Sequence, residues 1–184
     1  SLIERLREVA EDLKRRIRKV LEDLRRANEE SAKRIRDIDR RTREANRESN
    51  ERIKEIAKRV DDKRVLDELK KIVEDSNDEV RRVSERNEEI LKRSNEDLKR
   101  VEDDIKRVLD ELEKTLEEVD RKDIKEEKVK KVIDDMERIV REIEEKIKRV
   151  IERDKKLVKK LEEDNRRVIK KDKDLVRRLE ERTR

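Results

Sequence analysis

Residues 27–35 read Ala-Asn-Glu-Glu-Ser-Ala-Lys-Arg-Ile, and residues 45–53 read Ala-Asn-Arg-Glu-Ser-Asn-Glu-Arg-Ile, one pattern displaced by 18 positions. Eighteen residues make five turns of a helix with about 3.6 residues per turn, so the two copies present the same face if one unbroken α-helix joins them. The displacement recurs elsewhere. Ser76-Asn77 returns as Ser94-Asn95, and Arg153-Asp154-Lys155-Lys156-Leu157-Val158 returns as Lys171-Asp172-Lys173-Asp174-Leu175-Val176. A left-handed supercoil would keep a seven-residue period instead, so these helices are expected to be nearly straight.

Working outward from the repeat, apolar residues follow at steps of three and four wherever the seams are unbroken. The first seam runs from Leu2 through Leu6, Val9, Leu13, Ile17, Val20, Leu24, Ile35, Ile38, Ile53 and Ile56 to Val60. The second runs from Val65 through Leu69, Val73, Val80, Val83, Leu98, Val101, Ile105, Leu112 and Leu116 to Val119, and the third from Val129 to Leu179. The phase breaks at residues 60–65 and 119–124, which are read as turns. Helices are therefore expected over about residues 2–60, 64–119 and 124–183, an all-α, up-down-up three-helix bundle occupying residues 1–184 as a single domain. At about 1.5 Å per residue each would be a rod of roughly 85 to 90 Å. Ser1 with Glu4 and Asp123 with Glu126 read as capping boxes, and Asp62 as the N-cap of the middle helix. Ile35 and Ile38 with Leu157, Val158 and Leu161 are expected to form an apolar level.

The chain lacks Gly, Pro, Cys, His, Gln, Phe, Tyr and Trp, while 61% of it is charged and 30% hydrophobic. Such a balance ordinarily describes a disordered chain, and the sustained helical period argues against that reading. Without Cys there is no disulfide or thiolate, and without His or Cys no zinc-type ligand set. No stretch reads as a signal peptide or membrane span. The net charge of +5 is spread with both signs interspersed, and no aromatic side chain is present to stack on bases, which disfavours nucleic-acid binding through the basic first and third helices. Residues 1–60 carry +6, residues 64–119 carry −6 and residues 124–184 carry +6. A negative middle helix is thus expected to attract both of its neighbours.

Polar residues interrupt the seams in phase with them. Ser31 with Ser94 and Ser49 with Ser76 share one sum of residue numbers, Asn28 with Asn95 and Asn46 with Asn77 share another, and Asp154 and Asp172 lie equally far beyond Ser31 and Ser49. Constant sums are what an antiparallel pair requires, and a constant difference is what a parallel pair requires. One buried level is therefore expected to hold Asn28, Ser31, Ser94, Asn95 and Asp154. A second holds Asn46, Ser49, Ser76, Asn77 and Asp172, and a less symmetric middle level holds Thr42, Ser84, Asn87 and Asn165. Inside a core such groups must satisfy one another.

With its modules AN-x-x-S, SN and DK-x-LV, the chain resembles the de novo designed helical bundles with buried hydrogen-bond networks over its whole length. It departs from many of them in lacking Gly or Pro loops. The resemblance implies a structural scaffold whose polar levels specify helix register, a monomer with no required partner, cofactor or metal, and no enzymatic activity. The residues agree: Asp154 and Asp172 would stand about 27 Å apart along one helix, too far for a general-acid pair. The alternative is an interaction module or a subunit of a designed assembly, for which a second apolar face would be the sign. Only doublets such as Leu2-Ile3, Val20-Leu21 and Val150-Ile151 widen the one seam.

Overall fold

A computed structural model describes residues 1–121 and 124–183. Three α-helices account for nearly all of them: α1 (Leu2–Lys58), α2 (Lys63–Arg121) and α3 (Glu126–Arg182), packed on one another, with no strand among the described residues. The all-α three-helix bundle expected from the seams is what forms. The unbroken helix across Ala27–Ile53 is there too, because nothing in that stretch is a helix breaker and its apolar and small polar residues keep one face to the core.

The helix ends follow from local chemistry. Ser1 Oγ accepts the Glu4 backbone N–H at 3.3 Å while the Glu4 carboxylate lies 3.5 Å from the N-terminal amine, the reciprocal arrangement of a capping box. Asp62 caps α2, its Oδ1 accepting the Arg64 backbone N–H at 3.0 Å. At the end of α1, Arg59 N–H and Val60 N–H bond the carbonyls of Ile56 and Ala57 at 3.0 and 3.2 Å. With no glycine and no residue at positive φ among those described, the last turn closes by tightening rather than by a left-handed cap. α2 runs to Arg121, beyond the apolar break at Val119, where Arg7 of α1 donates to both Asp120 oxygens at 2.8 and 2.9 Å. α3 starts at Glu126 rather than 124, and the Lys125 carbonyl accepts the N–H groups of Lys128 and Val129. The Asp123 cap lies outside the described residues.

The chain divides into two compact units, each containing part of every helix: residues 1–30 with 94–154, and residues 31–93 with 155–184. The core of the first is continuous and apolar. Leu6, Leu13, Ile17 and Leu24 of α1 meet Val101, Ile105 and Leu112 of α2 and Val129, Met136, Val140 and Ile147 of α3. At about 25 cal/mol per Å² removed from water, side chains of this size each contribute about 1.5–3 kcal/mol on burial. The second unit is layered differently. An apolar cluster of Ile35, Val158 and Leu161 lies at one end, and another of Ile53, Ile56, Leu69, Val176 and Leu179 at the other. Val158 is buried, whereas Leu157, expected in the core, is 38% exposed, since adjacent residues point about 100° apart on a helix and here Val158 takes the inward direction.

Charge pairing follows the helix charges. In the first unit α2 supplies the carboxylate to Arg7, Lys14 and Arg25 of α1 and to Lys146 and Arg153 of α3. In the second it supplies Glu88 to Arg43 and Glu79 to Lys171, while Arg86 reverses the pattern toward Asp164. Arg16 with Glu144 and Arg34 with Glu162 join α1 to α3.

Candidate functional site

Between its two apolar clusters the second unit buries polar side chains in two neighbouring layers. The middle layer is built from i, i+3 and i+4 spacings that put Asp39, Thr42 and Arg43 on one face of α1, Ser84 and Asn87 on one face of α2, and Asn165 on α3. Asn165, Asn87 and Thr42 are at most 2% exposed. Asn165 and Asn87 form a reciprocal amide pair, each Nδ2 donating to the other's Oδ1 at 3.0 Å. The second amide hydrogen of Asn165 goes to the Leu161 carbonyl at 2.7 Å and that of Asn87 to Asp39 Oδ1 at 2.9 Å, so all four amide hydrogens are used. The Thr42 hydroxyl, with one hydrogen, sits between Asn165 Oδ1 at 2.9 Å and the Ile38 carbonyl at 2.8 Å. Ser84 donates to Asp39 Oδ1 at 2.7 Å and accepts from Arg43 Nε at 3.0 Å, while Arg43 also reaches Asp39 Oδ2 at 3.1 Å.

The second layer lies further along the same unit. Asn46 and Asn50 of α1 both donate to Asn77 Oδ1 at 2.9 Å. Ser76 Oγ lies 2.8 Å from Asp172 Oδ1 and 3.2 Å from Asn46 Oδ1. Ser76, Ser49 and Asp172 are buried, and Asp172 Oδ2 and Asn50 Oδ1 are buried without a partner. Burial pushes the Asp172 carboxyl above the usual carboxylate range, with Glu79 adding to the rise and the Ser76 hydrogen bond and Lys171 opposing it.

The level expected around Asn28 forms only in part. Asn28 Nδ2 donates to Asn95 Oδ1 at 3.3 Å, but Asn28 is only half-buried and Asn95 is exposed. Ser94 is half-buried, as is Asp154, whose carboxyl is raised mainly by desolvation, with Asp97 adding to the rise and Arg153 opposing it. Ser31 is buried in the second unit. The difference from the Asn46 level has a cause in the repeat itself: where the second copy has Asn50, the first has Ala32, so the earlier level lacks its third amide.

Three members of these layers were not legible as such. Asn50 carried a signal, the Ala32-to-Asn50 change inside an otherwise repeated module. Asp39 and Arg43 carried none, because in a chain this charged their residue types describe its surface equally well.

Chemically the layers offer amides, hydroxyls and carboxylates committed to one another, Asp172 Oδ2 and Asn50 Oδ1 excepted. Ser84 donates to Asp39 but is buried, and its lone pairs face the Arg43 guanidinium, which lowers rather than raises nucleophilicity. Among the described residues no group of three His, Cys, Asp or Glu side chains is placed to hold a metal ion. No described helix is long and apolar enough to cross a membrane. The chain matches no protein-family model, no curated protein and no solved structure.

Proposed function

We propose that this chain is a de novo designed scaffold whose task is structural: its buried polar layers admit one register of the three helices and disfavour the others, and it acts as a monomer without catalytic activity. The observation that carries this reading is the Asn87–Asn165 pair with Thr42, where every amide hydrogen has an acceptor on another helix or on the helix's own backbone. Shifting one helix by a turn would set these groups against apolar neighbours, each stranded group costing about 1–3 kcal/mol. Apolar layers alone discriminate less, because one Leu or Val level resembles the next.

Asn87→Leu tests it. The change takes one buried donor and one buried acceptor from Asn165, leaving it Thr42 and the Leu161 carbonyl, and takes one donor from Asp39, so denaturant melts are expected to show a loss of about 1–3 kcal/mol. Light scattering on the parent is expected to give the mass of one chain. A variant as stable as the parent, or a parent that stays dimeric at micromolar concentration, would move the reading toward an interaction module.

A further inference from the structure

Counting hydrogens in the second layer leaves one problem, at Ser76. Its hydroxyl has one hydrogen and two acceptors in range, Asp172 Oδ1 at 2.8 Å and Asn46 Oδ1 at 3.2 Å. If Asp172 is ionised, Ser76 must serve the carboxylate, Asn46 Oδ1 loses that donor, and a buried negative charge is left with one donor on Oδ1 and none on Oδ2. If a hydrogen sits on Oδ1, every link falls into line. The acid donates to Ser76 Oγ, Ser76 donates to Asn46 Oδ1, and Asn46 Nδ2 donates to Asn77 Oδ1 at 2.9 Å. Oδ2 is then a neutral carbonyl oxygen, far cheaper to leave unpartnered than a charged one.

Asp39 shows what a carboxylate paired with a cation receives in this fold: hydrogen bonds from Ser84 and Asn87 and the guanidinium of Arg43. Asp172 has no such cation. From α2 it faces Glu79, whose charge opposes ionisation, and Lys171 on its own helix is engaged by that same Glu79 at 3.0 Å. From α1 the layer presents Asn46, Ser49 and Asn50, all uncharged. Glu48 and Arg52 of α1 line a surface groove with Lys173 and Asp174 of α3.

We propose that Asp172 is a proton-binding site in the folded core, holding a hydrogen on Oδ1 that completes the Asp172–Ser76–Asn46–Asn77 chain, so that losing this proton weakens the fold. The proton comes from solvent and returns to it, with no other bond made or broken. The upward direction of the carboxyl's titration, which follows from its burial, agrees. The sign follows from linkage. The unfolded chain releases this proton near the ordinary 3.8 and the folded chain at higher pH. The stabilisation is therefore full below 3.8, is lost as pH rises from there through the folded value, and changes no further above it.

The test combines urea melts of the full chain and of Asp172→Asn across pH with carbon-13 NMR titration of the Asp172 carboxyl in the parent. The Asn amide can donate to Ser76 in place of the acid hydrogen. The folding constant of the variant relative to the parent should therefore rise with pH, by up to about tenfold per pH unit, until it levels off. The Asp172 resonance should titrate above its ordinary range. A ratio that stays flat or falls with pH overturns the proposal, and so does a carboxyl that titrates at or below 3.8. Should Asp172→Asn fail to fold, the titration of the parent decides alone.

Discussion

Asn28 and Asn165 are the same residue type, and burial separates them. Asn165 is fully enclosed and uses both amide hydrogens, whereas Asn28 shares one bond with an exposed Asn95. Asn165→Leu is therefore expected to cost about 1–3 kcal/mol, because Asn87 keeps a donor and an acceptor that water cannot reach. Asn28→Leu should change stability by less than about 0.5 kcal/mol, as surface changes do. Denaturant melts of the two variants side by side check both, and equal losses would show that burial is not what decides. Asp154 shifts in the same direction as Asp172. Its carboxyl is raised by desolvation, so the stability it contributes is full below the ordinary 3.8 and is lost as pH rises through its folded value. Melts of Asp154→Asn should show the parent losing ground to the variant over that interval.

At the scale of the element, each helix owes its length to an uninterrupted apolar face, and its ends to a few capping contacts. Asp62→Ala removes the one side-chain acceptor at the start of α2 and should cost about 0.5–2 kcal/mol, read from the thermal midpoint. Within α3, Leu161→Ala should cost about 2–5 kcal/mol, whereas Leu157→Ala should cost below about 1 kcal/mol, since Leu161 is in the core and Leu157 is not. The helices and their order were legible because the three-and-four spacing has only one regular structure that uses it. The face of each doublet was not: Leu157 and Val158 are equally apolar, and only the position of the other two helices selects Val158. Polar pairs were legible where the repeat placed identical residues at constant sums, as for Asn46 with Asn77 and Asn28 with Asn95. Their burial was not, because that depends on the third helix, and Asp39 and Arg43 could not be told from surface charge.

At the scale of the whole molecule, the account's central claim is that polar layers specify and apolar layers stabilise. Cross-helix ion pairs add to this, though most are exposed and each contributes only about 0.2–1 kcal/mol. The separation of roles can be forced by replacing the buried trio together, Thr42→Val with Asn87→Leu and Asn165→Leu, which leaves Asp39 with Ser84 and Arg43. With no polar group left to strand, stability should be unchanged or higher. Register should then be poorly defined, because one apolar level fits another. Sedimentation velocity of this triple variant beside the parent is the most direct measurement. A single parent species giving way to several species in the equally stable variant is the predicted result, and a variant that sediments as one species of the parent's mass and shape would contradict the claim.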